Sequence, residues 1–88
     1  MYTIRLYKDK GCPLADASLN MISTSDPFDF IPDINYCLSD CLDIDGCRFA
    51  TYNKQSGQCS FYRQKCSLVA DANYNSTERV CLTPGVYS

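Results

Sequence analysis

The sequence predicts a small α+β domain held together by disulfide bonds. Two observations carry that expectation. Seven cysteines occur in 88 residues, and four of them stand at Cys37-x3-Cys41-x5-Cys47-x11-Cys59. That spacing brackets one short helix followed by one β-hairpin. A chain this short has a small core, and such chains often depend on covalent or metal cross-links. Disulfides persist in oxidising compartments, so a secreted or extracellular location is expected. Residues 1–88 read as a single domain.

Taken in order, Tyr2-Thr3-Ile4-Arg5-Leu6-Tyr7 alternates at period two and predicts a strand, ended by Asp9-Lys10-Gly11. Cys12-Pro13 opens a connection to a second strand at Leu19-Asn20-Met21-Ile22-Ser23-Thr24. Asp26-Pro27 and Ile31-Pro32 mark a loop, because proline removes a ladder donor and restricts the residue before it. Asp33 suits a helix N-cap. After it, Ile34, Cys37, Leu38, Cys41 and Leu42 share one helical face, while Asn35, Ser39, Asp40 and Asp43 share the other. Gly46 is the expected stop. So short a helix draws its stability from packing and cross-links rather than from propensity.

Residues 48–53 and 58–62 predict the two strands of a hairpin. A three-residue loop, Gln55-Ser56-Gly57, with Gly57 at positive φ makes a bulged hairpin. That register places Phe49, Thr51, Cys59 and Phe61 on one face. A two- or four-residue loop would put Ala50 and Tyr52 there in place of Phe49 and Thr51. The three-residue loop is preferred because it buries the larger apolar set beside Cys59. Residues 70–78 predict a polar loop, and Arg79-Val80-Cys81-Leu82 a last short strand.

Sequence does not fix disulfide connectivity, but the elements narrow it. Cys37 and Cys41 stand one helical turn apart, Cys47 follows the helix, and Cys59 lies on the second hairpin strand. A Cys41–Cys47 bond closes the helix-to-strand turn, and a Cys37–Cys59 bond ties the helix to the hairpin.

This arrangement resembles the PAN/apple family. The resemblance is carried by Asn35-Tyr36-Cys37-Leu38-Ser39-Asp40-Cys41, by Gly46-Cys47-Arg48-Phe49-Ala50-Thr51-Tyr52-Asn53 and by Cys59-Ser60-Phe61. It implies a strongly curved antiparallel sheet with the helix packed on one side. It implies a non-catalytic binding module whose ligands are carbohydrates or protein surfaces, and the same pairing of the four central cysteines. Apple modules add a bridge between the chain ends, which here is Cys12–Cys81. Cys66 has no place in that scheme and is expected to be unpaired. An intermolecular bridge, or a bond to Cys12 or Cys81, is its alternative.

Little else points to chemistry. Histidine is absent, which removes Ser-His-Asp and Cys-His catalysis and the commonest metal ligand. The cysteine gaps do not form the two paired half-sites of a zinc centre. No Cys-x-x-Cys redox motif occurs. Asp43-Ile44-Asp45-Gly46 matches part of a calcium loop, but Tyr52 stands where the bidentate Glu belongs. No carboxylate pair is singled out. No enzyme activity, cofactor or metal is expected.

The formal net charge is −2, which gives no general pull toward nucleic acid or membranes. No stretch approaches the 18 or so apolar residues of a membrane span. Residues 1–10 lack the apolar core and cleavage site of a secretory signal, so Met1 is expected to stand directly before a mature domain. Asn75-Ser76-Thr77 is an N-glycosylation acceptor. From Asp9 to Asp45 there are eight Asp and one Lys, whereas residues 46–70 hold Arg48, Lys54, Arg63 and Lys65 and no acid. That basic hairpin is the candidate ligand site. Arg offers a planar fork to sulfates or carboxylates of a glycan, and Tyr52 and Tyr62 offer faces for stacking on sugar rings. In PAN relatives such as the N-terminal module of hepatocyte-type growth factors, the resemblance connects this region with heparin. Ordinary solubilising charge is the plainer alternative. A glycan is therefore the first expected partner. An extracellular protein is the second, by adhesion or by formation of a homodimer through Cys66.

Overall fold

The computed structural model of the chain describes residues 2–13 and 20–81, with Cys81 described for its backbone alone. In chain order the elements are β1 (Tyr2–Tyr7), β2 (Lys10–Gly11), β3 (Met21–Thr24), α1 (Ile34–Asp43), β4 (Phe49–Asn53), β5 (Gln58–Tyr62), β6 (Val69–Ala70) and β7 (Tyr74–Cys81). Five strands form one antiparallel sheet in the order β1-β7-β4-β5-β3, and β2 pairs with β6 in a separate two-stranded ladder. The helix starts where Asp33 accepts a hydrogen bond from Asn35 N at 2.8 Å, as an N-cap should. It is followed by Gly46 at φ 83°, which lets the chain reverse into Cys47 and β4. No helix among the described residues is long and apolar enough to cross a membrane.

The sheet is covered on both faces, so Phe49 to Tyr52 of the central strand β4 are all buried. On one face α1 packs through Cys37 and Cys41 onto Ala50, Tyr52, Cys59 and Phe61, with Ile22, Ile31, Ile34 and Ile44 around them. On the other, Phe49, Tyr62 and Cys66 form a second cluster with Tyr7, Cys12 and Leu68. Phe49 lies between Tyr7 and Tyr62, with ring centroids 6.3 and 6.0 Å away and tilted planes. Such tilted arrangements suit the aromatic quadrupole.

The hairpin register differs from the expectation. Asn53 pairs with Gln58, Tyr52 with Cys59 and Ala50 with Phe61. The loop therefore has four residues, Lys54 to Gly57, and the face beside Cys59 carries Ala50 and Tyr52. The Asn53 carboxamide oxygen accepts from Gln55 N and Ser56 N, and Gly57 N donates to Asn53 O at 2.8 Å. These bonds close the longer turn. The preference for the larger apolar set fails because Phe49 is not left in solvent: it is fully buried in the second cluster.

The expected polar loop at 70–78 is also corrected, since residues 74–78 belong to β7. That strand lies between β1 and β4. Its buried hydroxyls are satisfied rather than solvated. Ser76 Oγ donates to Lys10 O at 2.8 Å, and Thr77 Oγ1 donates to Arg5 O at 3.1 Å. Leu19 and Leu82, which the sequence placed in strands, lie outside the described residues.

Among the described residues three disulfides are present. Cys37 is bonded to Cys59 and Cys41 to Cys47, so both central bridges sit in the helix-side core. Cys12 is bonded to Cys66, with Cα atoms 5.7 Å apart. The expectations of a Cys12–Cys81 bridge and an unpaired Cys66 are thereby overturned. The β2–β6 ladder sets Lys10 opposite Ala70 and Gly11 opposite Val69, which carries Cys12 toward Cys66 at the floor of the second cluster. The side chain of Cys81 lies outside the described set.

Candidate functional site

The six residues expected to bind a ligand do not form one surface. Tyr52 is 5% exposed, and its hydroxyl donates to Ile31 O at 2.5 Å. Tyr62 is 4% exposed and packs on Phe49. Burial raises the phenol pKa of both, and the nearby Asp33 charge adds to the rise at Tyr52. Neither ring offers a face to a sugar, because each is core. Lys54 sits at the far end of the hairpin from Arg48, about 20 Å away at strand rise. Its Nζ is held by Asp9 Oδ1 at 2.6 Å. The Lys54 hydrogen bond in turn lowers the Asp9 pKa.

Arg48, Arg63 and Lys65 remain exposed. Arg48 N donates to Tyr62 O, and Arg63 N donates to Asn20 O, so the two arginines stand at the same end of β4 and β5. Lys65 reaches back over the Tyr7 ring, its Nζ 5.5 Å from the centroid. Sequence reasoning missed Arg79, which belongs to this end. Its backbone N donates to Arg48 O at 2.8 Å, placing it opposite Arg48 across β4 and β7, and its guanidinium lies over Tyr2. Among the described residues no acid forms an ion pair with any of these four. Asn75 lies within β7, and its Oδ1 accepts from Asp9 N at 3.0 Å.

A second surface, on a segment without a basic residue, is more unusual. Between β3 and α1 the chain makes a tight turn. Asp26 Oδ1 accepts from Phe28 N and Asp26 O accepts from Asp29 N, with Pro27 at the second position, where its fixed φ suits the turn. Phe28 at its tip is 93% exposed, and Phe30 is 65% exposed. Single exposed apolar residues are common, but this one stands on a segment clamped at both ends. Ser25 N donates to Cys59 O, Cys59 N to Ser25 Oγ, and Gln58 Nε2 to Ser25 O. Downstream, Ile31 N donates to Gly57 O at 2.8 Å, and the Ile31 carbonyl takes the Tyr52 hydroxyl. Ile31 itself packs into the helix-side core. The sequence did carry a signal here: two phenylalanines in a proline-bracketed, aspartate-rich loop match neither strand nor helix periodicity.

Gly57 is the keystone of that clamp. Its φ is 68°, and a Cβ placed on it would stand 2.5 Å from the Phe30 ring. Gly57→Ala is therefore expected to cost about 1–2 kcal/mol from the left-handed backbone alone, and more as Phe30 is displaced. A lower urea midpoint, with amide resonances of residues 25–31 shifted most, is the measurement that checks this.

A helix tied to an antiparallel sheet by the Cys37–Cys59 bond, with Cys41–Cys47 closing the turn that follows the helix, defines a small disulfide-stapled α+β scaffold. The chain matches the PAN domain over residues 17–84 and belongs to that family, whose members are generally non-catalytic modules that bind proteins or carbohydrates. No curated protein matches the chain.

Proposed function

We propose that this domain is an extracellular module that recognises protein surfaces. The observation that supports it is Phe28, an aromatic ring held in solvent at the tip of a turn fixed from both sides. The backbone that presents the ring is already fixed, so docking has to order only the two χ angles of the side chain. Burying a Phe side chain is worth roughly 1.5–3 kcal/mol, and rigid aromatic anchors are the residues that dominate protein interfaces. The disulfide density, typical of extracellular PAN domains, supports the secreted location.

A glycan reading keeps one specific support. Arg48, Arg63 and Lys65 are exposed cations that could grip sulfate or carboxylate groups. It has lost the tyrosine platforms and Lys54, and so it stands second.

One experiment separates the two. The purified domain is presented in parallel to an array of extracellular proteins and to an array of sulfated and neutral glycans. Protein binding that drops at least tenfold in Phe28→Ala, and is unchanged in Arg48→Ser/Arg63→Ser/Lys65→Ser, is the expected result. Glycan binding with the opposite dependence would favour the second reading and sink the first.

A further inference from the structure

Resting on that protein-binding reading, we infer that one partner of the Phe28 turn is a second copy of this chain, received in a pocket beside strand β1. The pocket has a volume of about 210 Å³ and is lined by Leu6, Tyr7, Lys8, Ile34, Asn75 and Ser76. It lies where the end of the edge strand β1 meets the first residue of α1. Its wall is mostly carbon, and Leu6 is 64% exposed. A closed cavity of about 150 Å³ is enough to bind benzene, so this half-open pocket has the volume a phenyl ring needs.

Charge agrees with the fit. Phe28 is flanked by Asp26 and Asp29 in the same turn, and from residue 11 to residue 47 the chain has no lysine or arginine. The pocket instead carries Lys8 in its lining. An acid-flanked ring thus meets an apolar pocket with a cation beside it. Phe28 does not fill the pocket of its own chain, since it stands 93% exposed. The self-association expected through Cys66 needed a free sulfur, and the bond to Cys12 removes that route. The present contact needs no covalent link.

Turn and pocket are different patches, so two copies either exchange the contact reciprocally about a two-fold axis or run head-to-tail into a chain or ring. One ring and its flanks bury far less than the roughly 1,200–2,000 Å² of a stable interface. The association is therefore weak between free domains and becomes strong only when copies are tethered, where effective concentrations reach about the millimolar range.

Sedimentation equilibrium of the oxidised domain tests this, from micromolar to about millimolar concentration, the range a tether imposes. The weight-average mass of the natural sequence is expected to rise with concentration, and less so in high salt. Phe28→Ala and Leu6→Glu are each expected to stay monomeric. Both substitutions are at exposed positions, and peptide mapping of the three bridges verifies that each variant is folded. An equimolar mixture of the two is expected to regain association, because one variant keeps the pocket and the other keeps the ring. A natural sequence that stays monomeric, a Phe28→Ala variant that associates as before, or a mixture that fails to recover each overturns the inference. Should the natural sequence stay monomeric while Phe28→Ala still abolishes binding on the protein array, the second copy is excluded and the protein-binding reading survives. Loss of both excludes the two together.

Discussion

Cys12→Ala/Cys66→Ala is expected to lower the stability of the domain by about 4 kcal/mol, the chain-entropy value for releasing a loop of this length. The bridge spans 54 positions, against 22 for Cys37–Cys59 and 6 for Cys41–Cys47. It therefore restricts the unfolded chain more than either of the others. The native state loses packing as well, since Cys66 is a buried wall of the cluster that holds Phe49 and Tyr62. Small domains have total stabilities of about 5–15 kcal/mol, so a loss of this size is a large fraction of the whole. Urea unfolding followed by circular dichroism checks it. A midpoint unchanged from the natural sequence would show that the 12–66 bond contributes nothing to the fold. Peptide mapping of unreduced protein gives an independent check, with a linked fragment containing Cys12 and Cys66 as the expected product.

Phe49→Ala is expected to cost about 3–5 kcal/mol, the range for emptying a fully buried aromatic site. Phe49 has no solvent exposure and packs between the tilted rings of Tyr7 and Tyr62. The cavity cannot collapse easily, because the Cys12–Cys66 bond fixes one wall and the Tyr7 hydroxyl is tied to Glu78 Oε1 at 2.7 Å. That hydrogen bond, followed by burial, raises the Tyr7 pKa. Phe49 and Cys66 share one cluster, so combining this variant with the bridge deletion should cost less than the sum of the two. A denaturant midpoint within error of the natural sequence would mean that the second cluster is not a core at all.

The helix and its bonds were legible because their signals are local. Asp33, the apolar face from Ile34 to Leu42 and the Cys41–Cys47 interval act within two or three turns of chain, and the Cys37–Cys59 bond, at a separation of 22, joins the helix to the hairpin that follows it. The second cluster was not legible, because a strand buried on both faces shows no alternation. Phe49, Ala50, Thr51 and Tyr52 are all buried, so no period told which of them faced the helix. Tyr52 was consequently read as a surface ring. Likewise Ser76 and Thr77 look like loop residues until the carbonyls of Lys10 and Arg5 are seen to accept hydrogen bonds from their hydroxyls. The 12–66 bond depends on a ladder of two residues per strand, too short to leave a pattern. Of the residues expected to bind a ligand, Arg48, Arg63 and Lys65 lie at the surface. Arg79 was missed because it joins them only through the pairing of β4 with β7.

The pairing of β1 with β7 has a mechanical consequence. Tyr2 stands opposite Cys81 and Tyr7 opposite Ser76, so the start of β1 and the end of β7 lie side by side. Tension applied through the two ends would load the rungs between these strands one after another, as in peeling a strip, instead of all at once in shear. Peeling of the first strand would proceed to Cys12, where the covalent tie to Cys66 would halt it with the helix still seated on its side of the sheet.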